Sequence, residues 1–106
     1  MKKTIFLIGY MGSGKSVIGR NLSKAISYSF YDLDNFITTK EGLTVNEIFE
    51  QKKEIYFRKI EREYLKELIN KDEEKVISLG GGTPCYDNNM EIILNTVDSD
   101  SIYIHR

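Results

Sequence analysis

The spacing of apolar positions changes several times along the chain, and each change marks an element. Residues 4–8, TIFLI, are almost continuously apolar, the pattern of a strand buried on both faces of a parallel sheet, and Gly9 closes the run. Ile18, Leu22, Ala25 and Ile26 then recur at helical spacing, which predicts a helix over about 15–27. Residues 29–33 are rich in aromatic side chains and read as a second strand that ends at the acidic pair Asp32 and Asp34, with a helix starting near Asn35. Gly42 punctuates that helix. Thr44, with Glu47 three residues on, forms a capping box that opens a short next one. Over 54–70, Phe57, Ile60, Tyr64, Leu65 and Leu68 line one face of a longer amphipathic helix. A polar turn at 71–74 leads to a third apolar strand over 75–79, broken by Gly80-Gly81-Gly82-Thr83-Pro84. Residues 87–94 read as helical and 101–104 as a fourth strand.

Strands alternating with helices imply right-handed crossovers and a parallel sheet covered on both faces, hence a three-layer α/β/α arrangement. There are no internal repeats and no linkers, so residues 1–106 are expected to form a single domain. In such a sheet ligands gather at the carboxyl ends of the strands, where Gly9, Asp32, Asp34 and Gly80 all fall.

Composition narrows the partners. The 106 residues are 41% apolar and 29% charged, an ordinary globular balance. A formal net charge of -1 supplies no basic field for a nucleic-acid backbone or an anionic membrane, so neither is an expected partner. No stretch approaches the roughly 18 continuous apolar residues of a membrane span. Met1-Lys2-Lys3 and the short apolar run after them resemble the start of a signal peptide, but Gly9 and Lys15 interrupt the run and a buried strand explains it better. Cys85 is the lone cysteine, which excludes an intrachain disulfide and fits a reducing compartment, so the expected location is cytoplasmic.

The chemistry is concentrated in a few segments. Residues 9–16, GYMGSGKS, fit the phosphate-binding pattern GxxxxGK[ST] between a predicted strand and a predicted helix. In that setting the backbone N–H groups of Gly12, Ser13 and Gly14 cradle phosphate, Lys15 reaches the transferring group and the Ser16 hydroxyl ligates Mg²⁺. A glycine turn that binds nothing is the competing reading, and the strand and helix around the motif count against it. Asp32 and Asp34, two apart, share a face if both lie on the strand; one carboxylate can then hold the magnesium's water shell while the other orients or deprotonates a hydroxyl. The alternative is a solvated strand end followed by Asp34 as a helix cap. Gly80, Gly81 and Gly82 either form a structural turn or offer bare backbone to a second ligand. Arg58 is either one of many solvated charges or a fork for a carboxylate. Cys85 and His105 receive no role.

Taken together, GYMGSGKS, YDLDNF, IYFRKIEREYL and VISLGGG, in this order and spacing, closely resemble shikimate kinases. The resemblance implies a three-layer α/β/α P-loop kinase fold with a parallel sheet, and transfer of the ATP γ-phosphoryl group to the 3-hydroxyl of shikimate, a step toward aromatic amino acids. It implies Lys15 at the nucleotide phosphates, Ser16 and Asp32 at Mg²⁺, Asp34 at the shikimate hydroxyls as base, Arg58 at the carboxylate, and Gly80, Gly81 and Gly82 lining the acceptor pocket. Glu61, one turn beyond Arg58, is implied as that arginine's support. Two departures stand out. Lys53-Glu54 replaces the family's usual Gly-Glu, so the local turn is expected to differ. The lid, a second carboxylate-binding arginine, a fifth strand and an adenine loop have no counterpart in the 106 residues, so the domain is expected to be truncated after its fourth strand. The piece by itself is then expected to be weak or inactive and to self-associate through the uncovered strand, while the full-length protein is a monomer. The alternatives are a gluconate-kinase-like enzyme, another P-loop kinase of small metabolites, and a non-catalytic nucleotide-binding remnant. A GTPase is disfavoured because no Asn-Lys-x-Asp stretch occurs.

Overall fold

A computed structural model describes residues 3–9, 15–79 and 99–104 of the chain. The elements follow in the order β1 (Thr4–Gly9), α1 (Lys15–Ile26), β2 (Ser29–Asp32), α2 (Leu33–Glu41), α3 (Val45–Ile69), β3 (Lys75–Leu79) and β4 (Ser99–Ile104). All pairings are parallel and the strand order is β2-β3-β1-β4. Thr4 stands opposite both Lys75 and Ser99, and Ser29 opposite Lys75, so the strands start nearly level and their carboxyl ends share one edge.

Because side chains alternate across a strand, β1 and β3 feed two separate cores. Phe6 and Ile8 of β1, with Ile77 and Leu79 of β3, pack against Leu33 and Ile37 of α2 and Ile48, Phe57, Ile60, Leu65 and Leu68 of α3. Ile5, Leu7 and Val76 face the other way, toward Leu22 of α1, Tyr28 and Phe30. Hence the continuous apolar runs over 4–8 and 76–77: helices cover both faces, and neither parity can be polar. The α1 layer sits close to the sheet. A Cβ added at Gly19 would lie 2.3 Å from Phe30 Cε1 and 3.0 Å from Leu7 Cδ1.

Helix ends are set by local chemistry. The Tyr28 N–H donates to the Ser23 carbonyl at 2.8 Å and the Ser27 N–H to the Lys24 carbonyl at 3.4 Å, a Schellman closure of α1 with Ser27 in the left-handed region at φ 61°. Gly42 closes α2 at φ 71°, its N–H donating to the Thr38 carbonyl at 2.9 Å. The Thr44–Glu47 capping box is present in both directions, at 2.9 and 3.1 Å.

Within α3 the helical dihedrals break at Lys53, with φ 72° and ψ 164°. The break separates the short helix expected after Thr44 from the longer one expected from Glu54. This backbone region is taken almost only by glycine, because a Cβ crowds the neighbouring peptide. Lys53, which stands where the family usually has glycine, is thus a lysine in a glycine-like conformation.

The pair α2 and α3 is tied by Glu41, which accepts from Tyr56 Oη at 2.8 Å and Tyr64 Oη at 2.7 Å. The Tyr64 hydrogen bond, then that of Tyr56, holds the Glu41 carboxyl below its ordinary range, and the same carboxylate pushes Tyr64 up to about 12. At the amino edge of the sheet Lys75 is buried, and its ammonium donates to the carbonyls of Lys71 at 2.9 Å and Glu73 at 3.3 Å. Burial pushes its pKa down. Tyr31 donates to the Glu73 carboxylate beside it. This polar knot caps the turn between α3 and β3 and lies at the end of the strands away from the phosphate motif.

Candidate active site

The phosphate motif occupies the strand-to-helix junction that its chemistry requires. Gly9 is the last residue of β1, and Lys15 and Ser16 open α1. Helix N-termini carry unpaired N–H groups and a partial positive charge, and the first turn of α1 holds no acidic side chain to compete with an anion there. Gly12, Ser13 and Gly14 lie outside the described residues, as do Gly80, Gly81, Gly82, Cys85, His105 and the helix expected over 87–94.

Asp32 and Asp34 require a correction. They do not share a strand face, because β2 ends at Asp32 and α2 begins at Leu33 rather than near Asn35. Asp32 has extended dihedrals and is the N-cap: its Oδ1 accepts from the Asn35 N–H at 3.2 Å. Asp34 lies in the first turn, where a carboxylate is favoured by the helix dipole. The capping role considered for Asp34 thus belongs to Asp32. Leu33 between them is fully buried and anchors the junction in the core. Asp32 pairs with Ser78, one position before the end of β3, so the junction sits at the carboxyl edge beside the strand that leads into Gly80.

Arg58 lies on α3. From Arg58 to the helix end at Asn70, twelve residues span about 18 Å, more than the roughly 13 Å rise of β3, and the helix end leads to the amino end of β3. The helix is thus long enough to run the full height of the sheet. Phe57 beside it is buried, its ring tilted against that of Phe49 at 4.8 Å between centroids, and it packs the helix on the core. The guanidinium is held by Glu61, whose Oε1 and Oε2 lie 3.2 and 3.4 Å from Nη1. Glu61 itself is only 1% exposed. A buried carboxylate needs a paired cation, and Arg58 supplies it. A second carboxylate, Glu54 Oε2, lies 3.7 Å from Nη2. Glu54 received no role from the sequence, although its i,i+4 spacing to Arg58 was a legible signal.

The described residues thus include a helix N-terminus suited to phosphate and two carboxylates on a strand-to-helix junction at the carboxyl edge, and, on α3, an oriented guanidinium suited to a carboxylate. Among the described residues no cluster of three or more metal-ligating side chains forms a closed metal cage. No helix among them is long and apolar enough to cross a membrane.

Comparison with known proteins agrees with this arrangement. The family model for shikimate kinase matches residues 11–106. A shikimate kinase of Flavobacterium johnsoniae is 51% identical over 100 residues, covering 94% of this chain and 58% of the relative. Among solved structures, shikimate kinase from Aquifex aeolicus superimposes with a TM-score of 0.88 at 40% identity, covering 97% of this chain and 60% of that one. Shikimate kinase from Acinetobacter baumannii, solved in complex with shikimate, gives 0.91 at 32% identity, covering 100% of this chain and 57% of that one. A gluconokinase from Sinorhizobium meliloti reaches 0.53 at 17% identity, a likeness of fold alone. The chain therefore spans between 57 and 60% of the length of these shikimate kinases. With a family-model match over nearly its whole length, a P-loop motif, an Asp-x-Asp junction and a Glu-braced arginine, the chain belongs to the shikimate kinase family.

Proposed function

We propose that the intact protein transfers the γ-phosphoryl group of ATP to the 3-hydroxyl of shikimate. The observation that carries this reading is the Arg58 guanidinium, fixed by the buried Glu61 carboxylate in a domain that also carries a P-loop motif. A P-loop by itself needs only a nucleotide; an oriented arginine in the same domain provides for an anionic acceptor.

In this reading the N–H groups of 12–14 and Lys15 hold the nucleotide phosphates. Asp34 orients the acceptor hydroxyl and takes its proton, Arg58 takes the acceptor carboxylate, and Gly80, Gly81 and Gly82 line the pocket. Ser16 and Asp32 would hold Mg²⁺, a hard ion suited to one hydroxyl and one carboxylate oxygen. When bound, the ion neutralises charge on the phosphates. Phosphoryl transfer depends on position and electrostatic stabilisation, which is the service this edge provides. The lone thiol of Cys85 supports a cytoplasmic protein, and the intact enzyme is read as a monomer.

The test is ADP formation by the intact protein with shikimate varied, alongside Arg58→Ala. Shikimate-dependent turnover whose KM for shikimate rises at least tenfold in the variant, with KM for ATP unchanged, supports the reading. Nucleotide binding without any response to shikimate refutes it and favours a nucleotide-binding remnant.

A further inference from the structure

We propose that Glu54 is a positioning residue for the acceptor's carboxylate: together with Glu61 it holds both terminal nitrogens of Arg58 and sets the guanidinium plane before substrate arrives. The proposal rests on reading Arg58 as the acceptor contact. Glu61 grips Nη1, with its two oxygens 3.2 and 3.4 Å away, and the Phe57 ring lies 5.4 Å from Cζ. Glu54 Oε2, 3.7 Å from Nη2, restrains the other end.

The two carboxylates differ in kind. Glu61 is buried and tied to the core face of α3, whereas the Glu54 side chain is 60% exposed. Glu54 is also the first residue after the break at Lys53, so the left-handed backbone there determines where its carboxylate starts. An acid opening a helical stretch is favoured by the free N–H groups of that turn, and an acid four residues before an arginine is the favourable order for the pair. The strained joint at Lys53 is thereby linked to the orientation of Arg58.

Removing Glu54 has two opposing effects on an anionic acceptor. It removes one restraint on the guanidinium, which weakens binding, and it deletes a nearby negative charge, which strengthens it. At 3.7 Å from Nη2 that charge lies inside the screening length of about 8 Å at physiological salt, so the sign of the KM change decides between the two effects, and positioning requires a rise. KM for shikimate should rise about 2- to 5-fold in Glu54→Ala, the change expected from losing a partly exposed ion pair, and less in Glu54→Gln, whose amide oxygen still accepts. The turnover number and KM for ATP should hold.

The experiment is steady-state kinetics of the intact protein, comparing Glu54→Ala, Glu54→Gln and Arg58→Ala at physiological salt, with melting temperatures alongside. The graded rise in KM for shikimate, Ala above Gln, supports the inference. If Arg58→Ala loses acceptor saturation while Glu54→Ala keeps or lowers its KM, positioning by Glu54 is overturned and the reading of Arg58 stands. A lower melting temperature with an unmoved KM likewise overturns it, since that is a purely structural role. If Arg58→Ala itself keeps the wild-type KM, the reading of Arg58 falls and the inference falls with it.

Discussion

Replacing Gly19 by alanine asks whether the closeness of α1 to the sheet is a requirement of the fold. In an open helix interior the change should stabilise by about 1 kcal/mol, because alanine is the better helix former. Here the new methyl would sit 2.3 Å from Phe30 Cε1 and 3.0 Å from Leu7 Cδ1, against the roughly 3.5–4.0 Å at which carbon atoms rest. Relief requires a displacement of more than 1 Å, by the Phe30 ring or by the helix. Neither moves freely: Leu7 is fully buried, and the Phe30 ring packs on the Ile5, Leu7 and Val76 core, with the Arg20 guanidinium 5.9 Å from its centroid. Overpacking of this kind costs about 1–3 kcal/mol, so after the helix gain the net effect is a loss of up to about 2 kcal/mol. The sign is the test. Urea unfolding of the intact protein should show a lower midpoint with an unchanged slope. Gly19→Ala combined with Phe30→Leu should recover part of the loss, because the shorter side chain leaves room. Since α1 carries Lys15 and Ser16, KM for ATP should rise in the single variant. A midpoint equal to or above wild type would show that α1 has slack over the sheet and would refute the close-packing argument.

Three further outcomes are expected. Lys53→Gly should stabilise by about 1 kcal/mol in denaturant melts, since relief of a glycine-only conformation, on the order of 1–3 kcal/mol, exceeds the added freedom of the unfolded chain; a loss would mean that the lysine conformation is unstrained. Ser27→Gly should raise the melting temperature slightly, by relieving the φ of 61° at the end of α1 without touching its two closing hydrogen bonds. The Glu41 clasp should show two pH limits. With its carboxyl held below 4.5 in the fold, its contribution is present above pH 4.5 and fades as pH falls through the lowered value; Tyr64, raised from 10.0 to about 12, contributes below pH 10.0 and loses that contribution as pH climbs toward 12. The stability gap between wild type and Glu41→Gln should therefore narrow below pH 4.5, and a gap independent of pH in that range would rule out the linkage.

Much of this molecule is legible in its amino acids because the relevant forces are local or strictly periodic. The apolar run over 4–8 and that over 75–79 announced strands covered on both faces, Thr44 and Glu47 announced a helix start, and Gly42 announced a helix end. The phosphate motif was recognisable because its backbone geometry demands glycine, lysine and serine at set spacings. What the sequence left open depended on where a strand stops. The Asp32–Asp34 spacing suits a shared strand face, yet burial of Leu33 and Ile37 beneath α3 favours starting the helix at once, which makes Asp32 a cap. Lys53 gave no local sign of a left-handed turn, since a lysine taken alone avoids that region; in the fold it lies between Ile48 and Phe57, which are both buried in the same core. The bracing of Arg58 by Glu61 was implied by the family resemblance, but only the fold decides that Glu61 is buried and Glu54 exposed. Sequence distance places two charges on neighbouring turns of a helix, and the sheet beneath determines which of them leaves the water.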